Sequence, residues 1–157
     1  MTDATTDVVV RNAVTVAAPV ERAFTVFTAD FATWWPAGYH LGDTPPARLT
    51  LETGPGGRWF ERAADGTECE WGRVRVWEPP RRLVLSWEIG ADWKHDPDPE
   101  HASEIEIRFT PAGPNSTLVE LEHRAIERHP GWERVHEGVS SPGGWPGILD
   151  RYAEAAA

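Results

Sequence analysis

Cysteine is nearly absent. Cys69 stands alone among 157 residues, which excludes an intramolecular disulfide and any metal site built from several thiolates. No apolar run reaches the length of a membrane-spanning helix. Met1 to Asp7 carries neither a basic nor an apolar region, so no secretion signal is expected and the cytoplasm is the expected location. Positive charge is short as well. Fifteen Lys and Arg stand against 25 Asp and Glu, a net charge of −10. Such a surface repels phosphate backbones and anionic lipid heads, so neither nucleic acid nor membrane is an expected partner.

Catalytic signatures are missing too. There is no H-E-x-x-H and no EF-hand loop. Gly138-Val139-Ser140-Ser141-Pro142 fails the G-x-S-x-G elbow at its last position. Gly54-Pro55-Gly56-Gly57 lacks the Lys-Ser/Thr of a phosphate loop and joins two strands instead of opening a helix. His95 to His101 gathers two imidazoles and three carboxylates in seven residues. Its prolines keep it extended and no scaffold residue fixes the ligands, so neither metal nor cofactor is expected. Repeats and low-complexity segments are absent, and a single domain over 1–157 is expected, with its ordered core at about 8–155.

Tryptophan is what the chain has in excess. Nine Trp outnumber five Phe and two Tyr together. One domain needs two or three for its core, so the surplus must be exposed or must line a concavity.

Period-2 alternation marks strands at 8–16, 48–52, 58–62, 68–78, 83–89, 104–109 and 117–123. Val20, Ala23, Phe24, Phe27 and Phe31 recur at helical spacing after Pro19 and end before Trp34-Trp35-Pro36. A short helical turn is expected near 130–135. Trp145, Ile148, Leu149 and Tyr152 then form one stripe of a closing helix, with Pro146 in its first turn. The expected class is α+β: a curved antiparallel sheet of about seven strands gripping a long C-terminal helix, with two short helices after the first strand.

Parity sorts the side chains. Trp87 and Trp145 should face each other across the interior. Trp77 shares the parity of Arg73 and Arg75 and should point outward, and Trp71 shares that outward parity unless Gly72 marks a bulge. Trp93 falls in the acidic loop. His123 shares the inward parity of Val119 and Leu121. Two readings stay open for it: a core histidine satisfied by backbone, or a polar group at a pocket wall. Glu61 shares the parity of Trp59 and lies either inward or at a rim.

Several ordered pieces carry a resemblance. They are Ala18-Pro19-Val20-Glu21-Arg22-Ala23-Phe24, Trp34-Trp35-Pro36, Gly56-Gly57-Arg58-Trp59, Gly72-Arg73-Val74, Glu78-Pro79-Pro80-Arg81-Arg82-Leu83-Val84-Leu85-Ser86-Trp87 and Thr117-Leu118-Val119-Glu120-Leu121-Glu122-His123. With a tryptophan opening the last helix, the chain resembles the single-domain bacterial activator-of-heat-shock-ATPase homologues. These belong to the START-like (SRPBCC, helix-grip) superfamily, which also holds the polyketide cyclases. The resemblance implies a hydrophobic cavity between sheet and C-terminal helix that takes a small apolar, aromatic or lipid-like molecule.

The ligand-facing set expected on that basis is Trp34, Trp35, Trp59, Glu61, Trp87 and Ile107 from the first two thirds of the chain. Leu121, His123, Trp145, Leu149 and Tyr152 complete it. Binding without chemistry is the favoured reading, with no catalytic residue and no enzyme activity expected. The alternatives are a cyclase or aromatase using His123 or Glu61, and a protein-interaction domain. Monomer and homodimer are both open.

Overall fold

A computed structural model describes residues 8–157 apart from Ala37, Asp43 and Pro45. The Met1 to Asp7 stretch, read above for its missing signal, lies outside the described residues.

Seven strands form where the apolar alternation lies. They are β1 (Val10–Val16), β2 (Arg48–Leu51), β3 (Arg58–Arg62), β4 (Glu68–Glu78), β5 (Arg82–Trp87), β6 (Ser103–Gly113) and β7 (Ser116–Arg124). The sheet order is β1-β7-β6-β5-β4-β3-β2 and its pairings are antiparallel. β2 to β7 thus form a meander, and β1 closes onto β7. Short turns such as Gly113–Ser116 make sequential pairing the least costly arrangement.

Among the described residues three α-helices form: α1 (Val20–Thr28), α2 (Trp132–Ser140) and α3 (Trp145–Ala156). α1 starts after Pro19 and places Glu21 in its first turn, where the helix dipole favours a carboxylate. It buries Val20, Ala23, Phe24 and Phe27, as the spacing predicts, together with Val26 and Thr28. A single 3-10 turn, Phe31–Thr33, follows it. α3 buries Trp145, Ile148, Leu149, Tyr152 and Ala156. Its Tyr152 hydroxyl donates to the carbonyl of Ala23 at 2.6 Å, which ties the last helix to the first. The turn expected at 130–135 is longer than its apolar signal and forms the nine-residue α2.

Two tryptophans depart from the parity reading. Trp71 is buried, 1% exposed, not outward. Trp59 pairs with Gly72 and Phe60 with Glu70, so Trp71 is an extra residue in β4. A bulge sets two residues against one and re-aims the side chain. A second register shift lies between Val74 and Val76. Beyond it the parity is reversed, and Trp77 packs inward on Phe24 with centroids 5.1 Å apart. Both bulges bend β4, and the sheet curls around α3 and α1.

Candidate functional site

Four indoles converge at one end of the curled sheet. Trp35 follows the 3-10 turn after α1, Trp71 sits on the β4 bulge, Trp87 ends β5 and Trp145 opens α3. Ring centroids lie 5.2 Å apart for Trp35 and Trp71, 6.2 Å for Trp35 and Trp145, and 5.9 Å for Trp87 and Trp145. These rings border an open cavity of about 340 Å³. The segment from Tyr39 to Leu41, Ile89, Trp93, Val139 and Ile148 line it as well. Tyr39 and Trp93, at 44% and 43%, are the exposed large hydrophobic side chains among the described residues, and both line this cavity.

Each of the four wall indoles commits its N–H elsewhere. Trp35 donates to the carbonyl of Tyr39 at 2.9 Å and Trp87 to that of Ile89 at 3.0 Å. Trp71 donates to Glu61 and Trp145 to Nδ1 of His123, both at 3.0 Å. The cavity therefore receives ring faces and edges and none of these four donors.

Glu61, left open between interior and rim by its sequence, is 3% exposed. Its carboxylate accepts the backbone N–H of Leu41, that of Gly42 at 3.1 Å and the Trp71 indole. Three donors satisfy a charge that would be costly to bury alone. It holds the Tyr39–Gly42 segment onto β3. His40 lies in that segment and lines the cavity. Its Nδ1 is 2.9 Å from the carbonyl of Gly42. A carbonyl only accepts, so Nδ1 carries the proton and Nε2 keeps a free lone pair.

His123 is fully buried. Its Nε2 lies 2.7 Å from Oγ of Ser103, which lies 2.7 Å from Nε2 of His129. Burial pushes His123 down to about 3 and His129 to about 4. Neither open reading fits His123. Its hydrogen-bond partners are side chains, and it stands behind two cavity walls, bonded to Trp145 and packed on Trp87 with centroids 5.3 Å apart.

Of the set expected from sequence, Trp35, Trp87 and Trp145 line the cavity and the others stand behind it. Trp34 is packed between Phe27 and Tyr152 and donates to the carbonyl of Val26 at 2.8 Å. Trp59 crosses β4 to reach the carbonyl of Ser86 at 3.0 Å. Ile107 and Leu121 are paired partners in the centre of the sheet. Leu149 and Tyr152 hold α3 in the core. The set omitted Tyr39, His40, Leu41 and Trp93 because loops carry no periodicity to read. Trp71 did have a signal, the glycine beside it.

The acidic loop pairs its groups off. His95 meets Glu88 at 3.0 Å and His101 meets Asp96 at 2.8 Å, which raises His101 above the ordinary imidazole range. Among the described residues no three His, Cys, Asp or Glu are grouped to hold a metal ion. No described helix is long and apolar enough to cross a membrane.

Comparison with known proteins bears on the fold and on the chemistry. The family described as "Activator of Hsp90 ATPase homolog 1-like protein" matches residues 17–156. A solved structure named as the anthrahydroquino-γ-pyrone synthase Txn09 is 43% identical, covering 93% of this chain and 95% of that one, with a TM-score of 0.67. The self-sacrificing resistance protein CalC from Micromonospora echinospora is 29% identical over 94% and 93% of the two chains, with a TM-score of 0.69. DynU16, from the dynemicin biosynthetic locus, is similar in fold at 22% identity and a TM-score of 0.60, covering 93% of this chain and 46% of that one. No curated protein matches. The expectation of a pocket without chemistry is corrected by these likenesses, since the 43% identical structure is a named synthase. Composition could not reveal this, because a cavity of indoles reads alike in a binder and in an enzyme. With the family matching nearly its whole length, the chain belongs to the activator of Hsp90 ATPase homolog 1-like proteins.

Proposed function

We propose that this chain binds a flat, fused aromatic molecule in the indole-walled cavity and closes a ring on it. One observation carries the reading. Five indoles border one open cavity, and four of them, Trp35, Trp71, Trp87 and Trp145, have their N–H groups bonded to protein. Such walls recognise area and π-faces, not a polar pattern. A volume of about 340 Å³ is at the small end of ligand sites and suits three or four fused rings. Burial at about 25 cal/mol per Å² leaves micromolar affinity after association costs.

The likeness to a γ-pyrone synthase supports the second half. Ring closure within one molecule needs its reacting arms held together. Stiff aromatic walls do this by removing conformations, an effect that reaches about 7–11 kcal/mol in favourable cases. The position of the exposed aromatics also favours a small molecule over a protein partner, since Tyr39 and Trp93 both border the cavity.

The test uses two probes. Alizarin, a dihydroxyanthraquinone, should quench tryptophan emission saturably in the micromolar range. 2′-Hydroxychalcone, which closes to a dihydro-γ-pyrone by isomerisation, should lose its absorbance faster with protein than in buffer, and alizarin should inhibit this. Absence of saturable quenching together with an unaccelerated chalcone reaction would overturn the proposal.

A further inference from the structure

We propose that His40 is the proton-transfer residue of this cavity and that Glu61 is its positioning residue. This rests on the ring-closing reading above and assigns its acid–base group. Of the described cavity-lining side chains, only Tyr39 and His40 titrate. The Tyr39 hydroxyl donates to the carbonyl of Gly143 at 2.7 Å. His40 has Nδ1 fixed as a donor to Gly42, so Nε2 is a base with its lone pair free. A loop imidazole is ordinarily a poor catalyst because it wanders. Here the loop is tied on both sides of it.

The Tyr39 backbone N–H donates to Pro36 at 3.0 Å and its carbonyl accepts the Trp35 indole at 2.9 Å. On the far side, Leu41 and Gly42 both donate to the Glu61 carboxylate. That same carboxylate holds the Trp71 indole. One buried anion thus fixes the base and one wall relative to each other. A β-carbon on Gly42 would come 3.3 Å from the Glu61 carboxylate, so the loop lies flat against it.

The step conserves every atom. The proton of a bound phenolic or enolic hydroxyl passes to Nε2, and its bonding pair stays on oxygen. That pair forms the new C–O bond to a carbon conjugated with a carbonyl in the same molecule. The π pair moves to the carbonyl side, and the imidazolium returns the proton to the carbon that carries the charge. Nothing is oxidised and no group leaves, so the product is an isomer.

Two measurements test this. The first needs no ligand: ¹⁵N-resolved NMR of the histidine rings in the free protein should show His40 as the Nδ1–H tautomer at neutral pH. An Nε2–H tautomer overturns the assignment whatever the cavity binds. The second uses alizarin bound at saturation, with its colour change on ionisation as the readout. Apolar walls alone push a phenol's ionisation to higher pH. A neighbouring base that takes the proton pulls it down. Bound to the wild type, the probe should ionise at least about one pH unit, or tenfold, lower than when bound to His40→Gln. Glu61→Gln should fall between the two, because its loop keeps the imidazole but loses the anion that fixes it. His40→Phe, which restores aromatic area, repeats the comparison if His40→Gln folds poorly. Equal midpoints in wild type and His40 variants overturn the proposal, while failure of the wild type to bind any alizarin strikes the cavity reading and leaves the tautomer result to decide His40.

Discussion

The indole N–H of Trp145 points at Nδ1 of His123, 3.0 Å away, and this contact sets the direction of each hydrogen bond behind it. An indole nitrogen only donates, so Nδ1 accepts and the proton of neutral His123 sits on Nε2. Nε2–H therefore donates to Oγ of Ser103, and the Ser103 hydroxyl donates to Nε2 of His129. The proton of His129 is then on Nδ1, which has no partner among the described residues. A directed chain thus runs from a cavity wall through β7 and β6 to the segment after β7.

That chain makes stability depend on pH. Burial holds His123 at about 3 and His129 at about 4, below the ordinary 6.5. Between pH 6.5 and those values the unfolded chain binds more protons than the folded one, so stability is full above 6.5 and falls as pH drops. The unfolding free energy from urea titration should be flat from pH 8 to 7 and then decline, approaching about 1.4 kcal/mol per pH unit for each histidine that stays neutral. His129→Gln, which keeps an acceptor for Ser103, should lessen the slope between pH 6.5 and 5. A flat wild-type profile down to pH 5 would mean that protons reach these rings in the folded state.

How much of this the sequence carried follows from what alternation can encode. Ile105, Ile107 and Phe109 on one strand and Val119, Leu121 and His123 on the next are strictly period 2, and these strands formed where expected. Trp77 departs from its parity because parity counts residues and a bulge adds one, while Trp71 falls under the exception that Gly72 signals. Trp59 and Tyr152 are inward as their parity and stripe indicate, and Trp34, expected to face a ligand, is buried too. Inward is not the same as cavity-lining, and which inward ring borders a void depends on how loops and helices from distant parts of the chain meet. His40 is the extreme case. It sits in a Gly- and Pro-rich loop where no pattern marks it, and only its place beside Trp35 and Glu61 in space reveals it.

Gly72 is the residue that lets Trp59 reach across β4. A β-carbon there would lie 1.9 Å from the carbonyl oxygen of Ser86 and 2.3 Å from Nε1 of Trp59, the two ends of one hydrogen bond. Backbone and a buried indole both resist displacement. Gly72→Ala should lower stability by about 3 kcal/mol or more, in the range of overpacked cores with a lost buried bond. Thermal melting measures it. A variant that melts within a degree or two of wild type would show that β4 and β5 separate freely at this point.

On the outer face Glu106 is 4% exposed and faces three guanidinium groups. Burial alone would raise its pKa, but hydrogen bonds from Arg108 at 2.8 Å, Arg82 at 2.6 Å and Arg124 at 2.5 Å outweigh that and hold it at about 2. The stabilisation is present above the ordinary 4.5 and is lost as pH falls toward 2. Glu106→Gln should cost about 1–3 kcal/mol, discounted because the arginines are partly exposed to solvent. Salt should narrow the gap between variant and wild type by screening the arginines. Equal stabilities at low ionic strength would reduce the cluster to surface pairing.

The mouth of the cavity gives the last prediction. Trp93 is held at φ 60°, a left-handed conformation rare for an aromatic residue, by a turn in which its N–H donates to the carbonyl of Gly90 at 2.9 Å. Its ring lies over Gly138 near the end of α2, where a β-carbon would come 2.6 Å from Cη2. The ring is 43% exposed, so it can be pushed aside without opening the core. Gly138→Ala should therefore leave stability within about 1 kcal/mol of wild type, helped by alanine's better helix propensity. The same change should move Trp93 off its seat and alter the cavity mouth. Alizarin affinity should fall severalfold, and Trp93→Ala should lower it by a similar factor. In the double variant the two effects should not add, since both remove one ring from one position. Additive losses would mean that Gly138 and Trp93 act on the ligand separately, and unchanged affinity in both single variants would place the bound ring deeper, against Trp87 and Trp145 alone.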